Sequence, residues 1–334
     1  MRPTEAGPRV SICIPAYNLA RYLPTAIASA QQQTSSAWEI VVSNNHSTDD
    51  TESVLRTFSS DIRIVKPPSH VGYAANCRYL VAQATGTHVV LLAADDALAP
   101  TFIREVRPHL AAAAMVTTGR FDCTDEMQVT GYQGGSYFGK RPLTAPAGFR
   151  HYLRACTYSI SGTVFRRDAV LNTPPLPEDA ANAFDQYLGL MIGRTETIHR
   201  LWKPLHYYRY HASNTSHSNP AKLLANVSRM FDFLLGEIPW SDEERFRVDE
   251  RARSLAREVL GQPLALLEQP WKDVLSSFCE RRLSPEDARA GTGDRHRSRD
   301  ARGPTARGLV KGIVRELVNK GMCRAVDHPS YLVD

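Results

Sequence analysis

Two adjacent carboxylates, Asp95 and Asp96, stand just past the apolar run His88-Val89-Val90-Leu91-Leu92-Ala93, with Ala94 between. A buried strand that delivers two acids to its carboxyl end builds a place for a divalent cation. Open α/β sheets bind ligands at that edge, and hard cations take oxygen ligands there, commonly beside phosphates. The strand's apolar residues serve the core, so the acids need a reason of their own. An Asp-Asp pair is also a common turn and helix-start signal, and the pair alone leaves both readings open. A second motif is a decoy. Gly134 to Lys140 nearly spells a phosphate-binding loop, but Arg141 stands where Ser or Thr is required and no strand leads in. The six cysteines, Cys13, Cys77, Cys123, Cys156, Cys279 and Cys323, form no Cys-x-x-Cys pair. They suggest neither a zinc site nor a redox couple.

The elements that must carry the acids alternate. Val10 to Ile14 reads as a buried strand stopped by Pro15. Tyr22 to Gln33 has helical spacing, with Leu23, Ala26, Ile27 and Ala30 on one face and Pro24 in the first turn. Glu39 to Val42 is a second strand, and Ser47 or Thr48 caps a helix running through Val54, Leu55 and Phe58. Ile62 to Val65 is a third strand, Ala74 to Ala84 a third helix closed by Gly86, and the strand before Asp95 is the fourth. This alternation predicts a doubly wound parallel sheet. Met115 to Thr118 and Ser159 to Phe165 are further strand candidates, 131–148 reads as a loop, and Phe184 to Ile192 reads as a helix. Beyond Pro220 the chain is amphipathic and helical. Leu223, Leu224, Val227, Met230, Phe231 and Leu234 share one spacing, and further pieces cover Glu243 to Leu260 and Trp271 to Phe278. The stretch 287–308 is rich in Arg and poor in apolar residues, which predicts a mobile loop. A final helix carries Leu309, Val310, Ile313, Val314, Leu317 and Val318 on one face, flanked by Lys311, Arg315 and Lys320.

The 334 residues, 43% hydrophobic and 22% charged, suit a globular chain with no membrane span. No apolar signal core opens the chain, so a cytoplasmic location is expected. A net charge of +5 suits an anionic substrate and is too mild for a dedicated nucleic-acid binder. No Gly-x-Gly-x-x-Gly follows the first strand, which argues against a nicotinamide enzyme.

The segments taken in order resemble the family 2 inverting glycosyltransferases. They are Val10 to Pro15 with Ala16, Tyr17 and Asn18, then Tyr22-Leu23, Gln33-Thr34, Glu39 to Val42, Ser47 to Thr51, Gly72 with Asn76, Ala84 to Gly86, and Asp95-Asp96. The match is dense over the first hundred residues and thin to about residue 217. The resemblance implies a GT-A fold: a Rossmann-like, mostly parallel central sheet flanked by helices. It implies a catalytic domain over 1–219, with a helical C-terminal extension over 220–334. The implied reaction is a metal-dependent, inverting transfer of sugar from a nucleotide-diphosphate sugar, with a UDP-sugar favoured. The acceptor would be a hydroxyl of a carbohydrate or small molecule, in the making of a glycoconjugate, polysaccharide or glycosylated small molecule.

The same resemblance assigns roles. Pro15, Tyr17, Asn18, Asn45, Asn76, Asp95 and Arg209 fall where the donor is held, with Tyr17 stacking on the base. Asn44 and Asn45 stand where the family commonly has acids that hold the base, and His46, where glycine is usual, reads as an exposed loop residue. Asp96 is the implied direct ligand of Mn2+ or Mg2+, and His211 completes the metal shell or touches the diphosphate. Asp185 is the implied base, with Phe184 in place of a usual first acid; its bland alternative is a helix cap. Glu178 and Asp179 are rivals for the base. The loop after residue 131 would cover the acceptor. The last helix could touch a membrane surface peripherally, or pack on the catalytic domain or on the second copy of a homodimer. A non-catalytic sugar-nucleotide-binding or scaffold protein on the same fold is the alternative function. A nucleotidyltransferase would want a Gly-rich basic loop after the first strand, and Pro15 to Asn18 is not one.

Overall fold

The computed structural model describes residues 9–35, 38–134, 142–212, 214, 220–260, 269 and 271–284. The expected last helix and the Arg-rich stretch lie outside the described residues.

Four strands form the parallel half of the sheet: β1 (Val10–Ala16), β2 (Trp38–Asn44), β3 (Arg63–Val65) and β4 (His88–Leu91), in the order β3-β2-β1-β4. They are joined by α1 (Leu23–Gln31), α2 (Thr51–Thr57) and α3 (Tyr73–Gln83). All of β1 is buried. Its alternate residues feed two faces: Ile12 and Ile14 meet Ile27, Val42, Val90 and Phe102, while Cys13 meets Val41, Leu80, Val89 and Leu91. A strand buried on both faces reads as a continuous apolar run. This is why the first hundred residues are readable.

Beyond β4 the sheet becomes mixed. The chain adds β5 (Ala97–Leu98), α4 (Phe102–Val106), β6 (Met115–Cys123), β7 (Val129–Gln133) and α5 (Ala147–Arg154). It continues through β8 (Thr163–Arg166), α6 (Arg167–Leu171), α7 (Phe184–Thr195) and β9 (Ile198–Arg209). Strand β8 runs antiparallel to β4 and β6, and β9 lies parallel to β6 but antiparallel to β5. The full order is β3-β2-β1-β4-β8-β6-β9-β5, with β7 on β6.

Several sequence expectations are corrected. Pro15 does not stop β1, which continues to Ala16. Cys13 O accepts Leu92 N–H on the β4 side, and pairing with β4 ends there. The missing N–H of Pro15 faces the same side beyond that end, so it costs no ladder bond. Helix α2 is not capped by Ser47 or Thr48. Asp49 Oδ1 accepts from Thr51 N at 3.1 Å and from Thr51 Oγ1 at 2.6 Å, while its Oδ2 accepts from Ala20 N at 3.0 Å. The stretch 131–148 is not all loop, since it holds the end of β7 and the start of α5.

The C-terminal helices are α8 (Pro220–Glu237), α9 (Asp242–Leu260) and α10 (Trp271–Arg282). Their buried residues, including Met230, Phe231, Leu255 and Phe278, belong to the same apolar cluster as Cys13, Leu91, Phe165 and Tyr187. Among the described residues, then, the core runs without a break from the first strand into the helical region. No described helix is long and apolar enough to cross a membrane.

Candidate active site

After β4 the chain makes a tight turn in which Asp96 N donates to Ala93 O at 3.1 Å. A turn abolishes strict alternation, and the two acids part company. Asp96 is buried, at 3% exposure. Its Oδ2 accepts from Ser161 Oγ at 2.6 Å and its Oδ1 from Arg209 N at 3.0 Å. Ser161 Oγ also receives Ala93 N–H at 3.1 Å. Burial and the neighbouring Asp95 charge push the Asp96 carboxyl up to about 8, against the pull of those two donors. Asp95 is partly exposed instead. Its Oδ2 lies 2.9 Å from His211 Nε2 and 3.5 Å from Asn214 Nδ2. Asp96, expected as the direct metal ligand, thus has both oxygens on protein donors, and Asp95 is the acid that meets His211.

His211 is held for this role. Its main-chain N–H donates to Asn214 Oδ1 at 2.6 Å, and its ring, only 2% exposed, lies 4.6 Å from the Tyr22 ring. Arg209 is a strut beneath both acids. Its Nε donates to Asp95 O at 2.8 Å and its Nη1 to Asp125 O at 2.6 Å, with the guanidinium 4.9 Å over Tyr22. Expected as a donor contact, Arg209 spends two of its three nitrogens on main chain. Only Nη2 is left without a protein partner.

Asp185 opens α7, and its Oδ1 accepts its neighbour Gln186 N at 2.8 Å. Burial pushes its carboxyl up, opposed by that N–H and by the Cys156 thiol. A carboxylate raised toward neutrality suits proton abstraction. The rivals are occupied. Glu178 packs on Gly72, where a Cβ would come within 2.7 Å of Glu178 Cγ. Asp179 pairs with Arg229 at 3.3 Å.

Tyr73, 39% exposed, stands at the start of α3 with its ring 6.5 Å from that of Phe184.

Of the remaining expected donor contacts, Tyr17 is open at the sheet edge, 43% exposed, with its ring 4.4 Å from that of His70. The others make contacts within the protein. Pro15 is buried within β1. Asn18, at φ 53°, accepts Thr48 N–H on Oδ1 at 2.8 Å and donates its own N–H to Ser47 Oγ at 3.1 Å, tying the first two strand-to-helix loops together. Asn45 forms a reciprocal pair with the Val71 main chain at 2.7 and 3.1 Å. Asn44 donates to Glu52 Oε2 at 2.7 Å and accepts Ser47 N–H at 3.0 Å. Asn76, 2% exposed, accepts Ser43 Oγ–H at 2.6 Å inside the body. The asparagines therefore pin loops. His46 is half-buried with Nε2 2.9 Å from Pro67 O, not a free loop residue. Sequence reasoning missed Tyr73, Ser161, Asn214 and Cys156, whose types carry no local signal; Ser161 reaches Asp96 across 65 residues and Asn214 approaches Asp95 across 119.

Residues 11–171 match the family model described as "Glycosyl transferase family 2". The chain is 28% identical over 219 residues to chondroitin synthase of Pasteurella multocida, covering 64% of this chain and 22% of that protein. It is also 28% identical over 216 residues to hyaluronan synthase of the same species, covering 63% and 21%. The chain thus spans about a fifth of the length of these relatives. Among solved structures, S. aureus TarS 1-349 in complex with UDP-GlcNAc superposes with a TM-score of 0.62 at 17% identity, over 84% of this chain and 83% of that one. The mannosyltransferase PcManGT of Pyrobaculum calidifontis, in complex with GDP-Man and Mn2+, gives 0.51 at 16% identity, over 95% and 88%. At such identities the superpositions show the shared GT-A fold.

Proposed function

This chain belongs to the family 2 glycosyltransferases, and from that premise we propose that it moves a sugar, with inversion, from a nucleotide-diphosphate sugar to an acceptor hydroxyl. The observation that supports this reading is the Asp95–His211 pair, 2.9 Å apart just past the carboxyl end of β4. We assign the cation to that pair and the base to Asp185 on the first turn of α7. An inverting displacement needs that arrangement, because the acceptor must lose its proton opposite the departing group.

The donor set fits a small hard cation. Asp95 Oδ2 and His211 Nε2 are 2.9 Å apart, close to the ~3.0 Å between adjacent ligands of an octahedral shell with ~2.1 Å bonds. Among the described residues no third His, Cys, Asp or Glu joins them. This suits Mg2+ or Mn2+, which keep waters and substrate phosphates as their remaining ligands. When bound there, the ion neutralises charge on the departing diphosphate. The chain's own residues do the rest. Arg209 and Asn214 hold Asp95 and His211 in place, Tyr17 offers a face to the nucleobase, and Asp185 takes the acceptor proton.

The relatives and neighbours support a nucleotide-sugar donor, UDP-GlcNAc in one and GDP-Man with Mn2+ in another. A UDP-sugar remains our preferred donor and a carbohydrate our preferred acceptor. A thermal-shift screen of UDP- and GDP-sugars with manganese tests the binding half, because a ligand stabilises in proportion to its affinity and concentration. Asp185→Asn tests the chemistry: donor binding persists while transfer falls by about 10²–10⁴. Wild-type transfer in that variant refutes the base. A protein that binds donor but shows neither hydrolysis nor transfer with any acceptor in a glycan panel is a scaffold instead.

A further inference from the structure

Strands β7, β6 and β9 carry a polar face that the cation and base assignments leave unused. On β6, Arg120 lies opposite Gln133 of β7 and His206 of β9, and Asp122 lies opposite Gly131 and Tyr208. Directly opposed residues share a face, so these six stand in two rows on one side of the sheet. The rows are knit together. Asp122 Oδ1 accepts from Arg120 Nε at 2.9 Å and from the Tyr210 hydroxyl at 3.3 Å, and its Oδ2 accepts from Gln133 Nε2 at 3.0 Å. Arg120 Nη2 donates to the Tyr210 hydroxyl at 3.0 Å, and its guanidinium lies 4.5 Å from the centre of the Tyr208 ring. Tyr208 and Tyr210 meet edge to face at 5.0 Å. One place in this face is open. Beyond the chain neighbours of Gly131, no described atom lies within 4 Å of where its Cβ would be. The face is also tied to Asp185. Segment 158–162 reaches Asp185 O through the Tyr158 hydroxyl at one end. At the other end Gly162 O accepts from Thr118 Oγ1 at 2.9 Å, two residues before Arg120 on β6. Residues two apart on a strand share a face, so the polar rows and Asp185 lie on one side of the sheet.

We propose that this face is an acceptor subsite, and that it seats an uncharged sugar ring over Gly131 beside the Arg120–Asp122 pair. The inference rests on the reading of the chain as a glycosyltransferase with Asp185 as base. Charge selects the ligand. Arg120 and Asp122 are paired at 2.9 Å, with side chains only 16% and 18% exposed. The pair is neutral, so an anionic sugar meets as much repulsion as attraction and still loses its water. A sugar hydroxyl suits the face better, because it both donates and accepts. Arg120 Nη1 supplies a donor and the Gln133 side-chain oxygen an acceptor, and neither has a protein partner among the described residues. The two tyrosine rings add an apolar flank for the C–H groups of a pyranose. Gly131 matters because any larger residue would stand where the ring is placed.

The test is a saturation-transfer NMR titration on the full chain with three probes: methyl β-glucoside, methyl β-galactoside and methyl β-glucuronide. At least one neutral glycoside is expected to take up saturation from the wild-type protein, and the glucuronide to bind more weakly than the glucoside. In Gly131→Leu the new side chain starts in open space, so Tm is kept while affinity for the neutral glycoside falls by about tenfold or more, the loss of ~1.4 kcal/mol. Gln133→Ala is the milder variant. It removes one hydrogen-bonding group from the face and should weaken the same glycoside by about 2–10-fold. Three results overturn the proposal: no saturation of any neutral glycoside by the wild type, a neutral glycoside that binds both variants as it binds the wild type, or a glucuronide that binds as well as the glucoside. Asp185→Asn keeps the two readings apart. Binding that ignores Gly131→Leu and Gln133→Ala, with transfer lost in Asp185→Asn, sinks this inference alone. Transfer that survives in Asp185→Asn sinks the base assignment itself, whatever the glycosides do.

Discussion

Replacing Asp96 tests whether it supports the fold or holds the ion. In Asp96→Ala, Arg209 N–H and Ser161 O–H lose their acceptor in a fully buried site. Each orphaned buried donor costs ~1–3 kcal/mol, so the loss is ~2–6 kcal/mol. At ~2 °C or more per kcal/mol for a domain of this size, Tm falls by at least ~4 °C. In Asp96→Asn the amide oxygen still accepts Arg209 N–H and the amide nitrogen can donate to Ser161 Oγ, so most of that loss is avoided. Manganese affinity in Asp96→Asn stays within about tenfold of wild type, the lower end of what altering the support of a ligand does. Asp95→Asn does the reverse: its Tm is close to wild type and its manganese affinity drops more than ~100-fold. Differential scanning fluorimetry, together with manganese titration followed by water-proton relaxation, reads both quantities. An Asp96→Asn protein that keeps its Tm but no longer binds manganese, beside an Asp95→Asn protein that still does, refutes the reasoning and returns the ion to Asp96.

Three further outcomes are expected. Gly148→Ala places a Cβ 2.7 Å from Gly193 Cα, where α5 crosses α7; such overpacking costs about 1–3 kcal/mol, read as a lower urea midpoint. Burial holds His151 down to about 4 and His206 to about 3, whereas the unfolded chain protonates both near 6.5. The unfolded state therefore binds more protons below pH 6.5, so stability is full above that pH and is lost as pH falls toward 4. The slope is up to ~1.4 kcal/mol per pH unit for each group. His151→Gln should flatten the urea-midpoint profile between pH 4 and 6.5, and an unchanged slope would refute the assignment. Asn226→Ala removes the acceptor of Asn182 N–H, 2.9 Å away in the turn that leads to Asp185. It should lower kcat more than donor affinity, and equal kcat would show that the turn needs no such tether.

The parallel half of the sheet was legible because strands buried on both faces must be apolar, and Val10 to Ile14, Glu39 to Val42 and His88 to Ala93 announce themselves. Strand β9 was not read as a strand. Its residues include Trp202 and Lys203, exposed at a register shift, and its order comes from pairing with β6 some eighty residues earlier. The acidic pair was visible as a pair, but which acid turns outward depends on a turn and on Ser161, 65 residues away. Asn45 and Asn76 stood out by type, yet their partners, Val71 and Ser43, lie 26 and 33 residues off. Side-chain chemistry shows in a sequence, whereas the identity of a distant partner does not.

The shared apolar interior has a practical corollary for anyone dissecting the molecule. A fragment stopping at residue 219 would keep the whole stretch that matches the family, and on paper would pass for a complete catalyst. It would also lay bare the surface that Met230, Phe231 and Leu234 now cover, and would leave the approach to Asp185 without the Asn226 and Arg229 contacts. Such a fragment should clump when expressed, and chimeras that exchange acceptor preference between relatives should place their junctions inside loops and leave the helical tail joined to its own sheet.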